Sequence, residues 1–344
     1  MKVAMEEAKL LAQLLLDDNC TLDELDLIDC EISEEALVCI CDALKTHDTL
    51  HTLVLRECKF TQRGWSVIAD LVGHIHSLTS LNLGGCALTT DGLTSILQSM
   101  GESALQTLNL KNNHLKERDA QYLAEMLAKN NTLRTLVLCE NELKGPGTIY
   151  LSEALKENSS LEELDMSNNG IDAEGMREFA SLLKTNSRLK KLSLARNFVA
   201  GHVVAKLAKS LKTNTHLVSL DLSKNLISNE GGKALLEALE GNCTLTSLLM
   251  GGNSGMANAI VDNIDAELEN NAEIMRRIMR KVIAQPTLSG ANEREELKQQ
   301  EAPEDIMSSR REGPPTVERS PRLMLGTIHE GNPLSNGAEP EPEQ

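Results

Sequence analysis

Apolar and polar positions recur in register along this chain. The stretch 217–225 reads LVSLDLSKN, and its pattern, LxxLxLxxN, returns from Leu22, Leu50, Leu78, Leu105, Leu133, Leu161, Leu189, Leu217 and Leu245. Successive starts lie 28, 28 and 27 residues apart, then 28 for each of the remaining five steps. Self-similarity at one period of this length marks a stacked solenoid, in which each unit buries its apolar face only against its neighbours. We number the units 1 to 9 from these leucines.

Within a unit, the leucines at the fourth and sixth positions alternate with polar residues, the period of two that a half-buried strand requires. The ninth position is Cys30, Cys58 and Cys86 in units 1 to 3, then Asn113, Asn141, Asn169, Asn197, Asn225 and Asn253. A buried asparagine there satisfies backbone groups where the chain leaves the strand, and cysteine is a smaller, weaker substitute. The second half of each unit carries apolar residues four apart, such as Ile40 and Leu44, Ile68 and Val72, Leu123 and Leu127, Leu151 and Leu155, Leu207 and Leu211, or Leu235 and Leu239. That spacing puts both on one helix face. Gly64, Gly92, Gly147, Gly175 and Gly231 fall four residues before this apolar position and are expected in a turn leading into the helix.

Strand, turn and helix thus alternate with right-handed crossovers. The residues quoted resemble leucine-rich repeats of the ribonuclease-inhibitor type, which have units of this length, Asn or Cys at the ninth position and a full outer helix. The resemblance covers about 1–283. It implies an α/β fold, a right-handed horseshoe solenoid of about nine repeats with a parallel concave sheet and convex helices. It says little about function, because the family hosts inhibitors, scaffolds, sensors and GTPase activators.

The two ends depart from the pattern. Residues 1–21 read as the helical half of a unit, with Ala12 and Leu16 at its apolar positions and no strand before it, so they are expected to be either a cap or a truncated repeat. Units 1 to 9 occupy 22–272. The last unit shifts Ile260, Ile264 and Leu268 by one residue, and 273–284 is expected to form a separate capping helix. Its Ile274, Met275, Ile278, Met279, Val282 and Ile283 make an apolar stripe opposite Arg276, Arg277, Arg280 and Lys281. Residues 285–344 are rich in Pro, Glu, Ser, Gly and Asn, a composition expected of a disordered tail. Within it Arg319-Ser320-Pro321-Arg322 is a candidate proline-directed phosphorylation site at Ser320, followed by Leu323, Met324 and Leu325 as a candidate docking motif.

Composition narrows the function. The net charge of −17 argues against nonspecific binding to nucleic acid or anionic lipid. The eight cysteines show no disulfide or zinc spacing, which suits reduced thiols in the cytoplasm or nucleus. The apolar run 10–16 is too short for a membrane span and lacks the flanks of a signal peptide. Asn19, Asn130 and Asn242 head NCT or NNT triplets but belong to the repeat, so they are discounted as glycosylation sites.

The polar positions between the strand leucines line the inner surface, where the resemblance places partner binding. They are Glu24, Asp26, Asp29, Arg56, Glu57, Lys111, Glu140, Glu163, Asp165, Lys191, Arg196, Asp221 and Lys224. Units 1 and 2 are acidic here, an arrangement that can receive a basic partner segment. Aromatic anchors of the kind that dominate interfaces are scarce, 2% of the chain. Trp65, Tyr122 and Tyr150 fall on the helical side, where packing between helices is the expected role. Cys139 is expected to face concave solvent as a partly exposed, unreactive thiol, with no neighbouring base to lower its pKa.

No phosphate-cradling loop, HExxH, GxSxG or metal-ligand cluster is present, and His74 with His76 lacks further ligands. No catalytic, cofactor or metal site is therefore expected. The leading expectation is a monomeric, non-enzymatic scaffold or regulatory subunit binding a protein partner on the concave face, and binding neither nucleic acid nor membrane. The alternatives rest on resemblance of architecture: a GTPase activator similar to those for Ran, the ligand-sensing repeats of a larger innate-immune receptor, or an actin-capping protein resembling tropomodulin.

Overall fold

The alternation of strand and helix is realised in a computed structural model, which describes residues 2–17, 19–101, 103–284 and 322–325. The chain opens with β1 (Lys2–Val3) and α1 (Met5–Leu15), then β2 (Glu24–Leu27), β3 (Glu31–Ile32), α2 (Glu34–Leu44), β4 (Thr52–Val54) and α3 (Gln62–His74). It continues through β5 (Ser80–Asn82), α4 (Thr90–Ser99), β6 (Thr107–Asn109), α5 (Glu117–Leu127), β7 (Thr135–Val137), α6 (Lys144–Glu157), β8 (Glu163–Asp165) and α7 (Ala173–Thr185). The last elements are β9 (Lys191–Ser193), α8 (His202–Leu211), β10 (Ser219–Asp221), α9 (Asn229–Leu239), β11 (Ser247–Leu249), α10 (Asn258–Ala284) and β12 (Arg322–Leu325).

Nine strands, one per unit, form a single parallel sheet in which each pairs with the next unit's strand at equivalent positions, for example Leu136 with Leu164. β12 joins the same sheet beyond β2, while β1 pairs separately with β3. The strand leucines and the inner helix faces make one continuous buried core along the solenoid. Among the described residues, no helix is long and apolar enough to cross a membrane.

The ninth-position asparagines act between units. Asn141 accepts the Asn113 and Leu115 amides at 2.9 and 3.0 Å and donates to the Leu110 and Leu138 carbonyls at 3.0 and 2.9 Å. Asn197 repeats this with the Asn169 and Ile171 amides and the Met166 and Leu194 carbonyls. Cysteine does less: the Cys58 and Cys86 thiols each donate at 2.9 Å to one carbonyl of the preceding unit, Leu27 and Leu55. A second ladder lies where helices return to strands. Asn158, Asn186, Asn214 and Asn242 donate to the Leu127, Leu155, Leu183 and Leu211 carbonyls and accept amides of their own following turns. Asn242 is thus buried in the ladder, in keeping with its discounting as a glycosylation site.

The structure corrects the placing of the glycines. Gly64, Gly92 and Gly175 follow the capping side chains of Thr61, Thr89 and Asp172 by three residues, so they lie in the first helical turn rather than before it. There they let neighbouring helices approach. A Cβ on Gly92 would sit 2.6 Å from Trp65 Cγ, and one on Gly231 3.2 Å from Val204 Cγ1.

The separate terminal helix is also corrected. α10 runs unbroken from Asn258 to Ala284, so the expected boundary at 272/273 falls inside it. Asn271 is buried and donates to the Leu245 carbonyl at 3.1 Å, but Ile274 and Met275 are only half-buried and Ile278 is exposed. At these three positions the apolar stripe is not fully covered. Of the segment expected to be disordered, 285–321 and 326–344 lie outside the described residues, Ser320 among them.

Candidate interaction surface

Each strand ends in a turn that fixes which side chains face outward. Where the fifth position is Asn or Asp, its side chain accepts the amide two residues on: Asn82 from Gly84 at 3.0 Å, Asn109 from Lys111, Asp165 from Ser167 and Asp221 from Ser223. The eighth residue then takes positive φ in all nine units, at Asp29, Glu57, Gly85, Asn112, Glu140, Asn168, Arg196, Lys224 and Gly252. This left-handed conformation suits Gly and Asn and costs other residues about 1 kcal/mol. Five units nevertheless place a charged residue there. The result is a row of side chains along the rim where strands pass into the convex loops, acidic at Asp29 and Glu57 and basic at Arg196 and Lys224.

The thirteen candidate residues separate accordingly. Arg56, Glu57, Lys111, Glu140, Lys191, Arg196, Lys224 and Asp29 are exposed, and Glu24, Glu163, Asp165 and Asp221 are half-buried. Asp26 is a correction: it is 1% exposed, so its carboxylate does not line an open surface. Glu24, Asp26 and Asp29 each interact within the chain. Several charges are neutralised locally, with Lys111 to Glu140 at 3.0 Å, Lys191 to Glu163 at 2.6 Å and Arg56 to Glu57 at 3.4 Å. Glu140 raises the Lys111 pKa through that hydrogen bond. Asp165 is also held by the Ser167 hydroxyl at 2.5 Å, which meets Ser193 Oγ at 2.6 Å. Arg196 and Lys224 make no ion pair among the described residues.

Cys139 is a second correction. It is buried, and desolvation, reinforced by Asp165, pushes its thiol up to about 12. The thiol is protonated and inert rather than partly exposed. Trp65 is wholly buried against Gly92, edge-on to Phe60 with ring centroids 5.0 Å apart, which leaves it no part in a convex contact. Tyr122 is half-buried and Tyr150 exposed on the helical side.

Sequence reasoning missed the apolar part of the rim. Phe198 is 65% exposed and Leu226 59%, each at the tenth position of its unit and two residues past Arg196 or Lys224. The Leu226 amide donates to the Val199 carbonyl at 2.9 Å, which lays the two segments side by side. Elsewhere that column reads Glu31, Lys59, Ala87, His114, Glu142, Gly170 and Ser254, so a phenylalanine and a leucine in it were a legible signal. Phe198 and Arg196 also border a cleft of about 390 Å³ with His114, Glu140 and Lys144. A second cleft, of about 500 Å³, opens on the convex side between α4 and α5, where the one short repeat step falls.

Four segments, 18–41, 74–97, 157–180 and 213–236, match the family described as leucine-rich repeat. The chain is a leucine-rich repeat protein. All four matched segments fall within the described repeats and include strand and helix of one unit. Among solved structures, this leucine-rich repeat chain is similar to the actin-binding site 2 of leiomodin-1, at 14% identity and a TM-score of 0.38, over 57% of this chain and 97% of that one. It is also similar to the tropomodulin C-terminal domain of Caenorhabditis elegans, at 18% identity and a TM-score of 0.41, over 48% of this chain and 98% of that one. At such values neither likeness bears on function. No curated protein sequence matches the chain. Leucine-rich repeats generally serve as non-enzymatic interaction modules.

Proposed function

We propose that the chain is a non-enzymatic scaffold or regulatory subunit that grips a protein partner along the concave face and rim of its later repeats. The observation that carries this reading is the exposed pair Phe198 and Leu226, flanked by the unpaired cations Arg196 and Lys224. An apolar anchor bordered by charges that face no ion pair is the arrangement expected of an interface centre. The matching partner segment carries an apolar side chain with carboxylates beside it. Glu163, Asp165, Lys191 and Asp221, neutralised or tied into turns, form the polar surround, and Lys111 with Glu140 extends it toward the earlier units. This reading moves the interface away from acidic units 1 and 2, where Glu24, Asp26, Asp29, Arg56 and Glu57 offer no apolar anchor.

The test is a paired capture from cytosol. Phe198→Asp with Leu226→Asp is compared with Asp29→Lys and Glu57→Lys, both variants first shown by circular dichroism to fold. Loss of a stoichiometric partner from the first and its retention by the second support the reading. Retention by the first and loss from the second return the interface to the acidic end and a basic partner.

A further inference from the structure

Among the described residues, the one sheet contact that does not join neighbouring repeats is between β2 and β12. Every other pair in the sheet links units adjacent in sequence, whereas here Arg322, Leu323, Met324 and Leu325 align in parallel with Glu24, Leu25, Asp26 and Leu27. The orientation is that of the repeats, and so is the register. Leu323 and Leu325 take the fourth and sixth positions of the LxxLxLxxN pattern, opposite Leu25 and Leu27.

The position they fill is that of a strand preceding α1 in the repeat. α1 is the helical half of a unit, and no strand precedes it among the described residues except the short β1, which pairs with β3 instead. In later units the amide at the third position donates to the preceding unit, as Thr52 does to the Asp23 carbonyl at 3.1 Å and Ser80 to the His51 carbonyl at 2.9 Å. By the same alternation the Glu24 and Asp26 amides of β2 turn toward β12. Without a strand there, β2 would present a row of open backbone groups at the end of a long parallel sheet, a template for pairing with another chain.

We infer that 322–325 is a donor strand that covers the outer edge of β2 in cis and holds it against competing extended segments of the form apolar-x-apolar. The 37 residues between Ala284 and Arg322 can reach. Extended, they span up to about 120 Å, and the sheet from β11 to β12 measures about 43 Å at roughly 4.8 Å per strand. A tether of this kind gives an effective concentration on the order of millimolar. Four residues of strand bind weakly in isolation, so the donor strand is held mainly by its tether and yields to a stronger segment of the same pattern.

The test is hydrogen exchange on the full chain, comparing wild type with Leu323→Pro, Leu325→Pro, which removes the two donors that the alternation turns toward β2. The Glu24 and Asp26 amides should exchange about three- to tenfold faster in the variant, with amides of units 4 to 9 unchanged. A synthetic peptide covering 318–330, added to the variant at millimolar concentration, should restore the protection, and one with Leu323 and Leu325 changed to Ser should not. Equal exchange in wild type and variant overturns the inference. So does wild-type protection that disappears on dilution together with a dimer, since the strand would then come from a second copy.

Discussion

Units 1 to 3 and the later units share a backbone path but not the means of holding it. In the later units two asparagine ladders bind each repeat to the one before, at the strand exit through residues such as Asn141 and Asn197 and at the strand entry through Asn158 to Asn242. In units 2 and 3 the exit is held by a thiol making one inter-unit bond, and the entry positions of units 1 and 2 are His47, whose buried Nε2 has no hydrogen-bond partner among the described residues, and Ile75. A solenoid's stability is a sum over neighbouring contacts, so its two ends need not be equally stable. The exposed anchor Phe198 lies on the better-braced part, where a rigid platform lowers the cost of binding. The early part instead ends in a sheet edge completed by a distant strand.

The difference should show most strongly in alkali. Burial pushes the Cys41, Cys58 and Cys86 thiols up to about 12 from 9.0. These groups stay neutral in the native state while the unfolded thiols ionise, so the stability they contribute is complete below pH 9 and lost as pH rises toward 12. At pH 10 each thiol costs on the order of 1 kcal/mol. Urea unfolding followed by circular dichroism from pH 8 to 10 checks this, with alanine at all three positions removing most of the dependence and leaving the share of Cys139, whose thiol burial also pushes up to about 12. Next, Asn141→Ala should cost about 3 kcal/mol by orphaning buried amides and carbonyls, against about 1 kcal/mol for Cys86→Ala. Equal losses in denaturant titrations would break the contrast between the ladders. Gly92→Ala should cost about 2 kcal/mol, because its Cβ meets Trp65. Gly101→Ala, whose Cβ would have only the Gln98 carbonyl at 3.8 Å, should leave the thermal midpoint nearly unchanged. The smallest effect is a gain: Glu140→Gly or Arg196→Gly should stabilise by roughly 0.5–1 kcal/mol by relieving positive φ. If only Arg196→Gly weakens partner capture, the guanidinium at that position serves binding.

Much of this fold was legible in the sequence because the repeat states one solution nine times. The period located the sheet strand of every unit, though not β1, β3 or β12, and the ninth position announced the first ladder. The second ladder was equally regular but sits in turns, where polar residues need no explanation, so Asn158 and Asn186 drew no notice and Asn242 was placed in the repeat without its role. The glycines were placed one turn too early because glycine signals a turn, and only the approach of Trp65 or Val204 shows that space is what they supply. Asp26 and Cys139 were misjudged for one reason. Period-two alternation says which side of a strand a residue faces, not whether something else covers that side. Phe198 and Leu226 were readable as exceptions in their column, but the search for anchors stopped at the strands and helices.

The account turns on where a partner sits, and hydrogen exchange of the chain with and without its captured partner tests that most directly. Binding as proposed slows exchange at the rim and strand ends of the later repeats, over 138–142, 166–170, 194–199 and 222–227, and leaves α1 to α4 untouched. Slowing confined to the convex helices or to units 1 and 2 would contradict it.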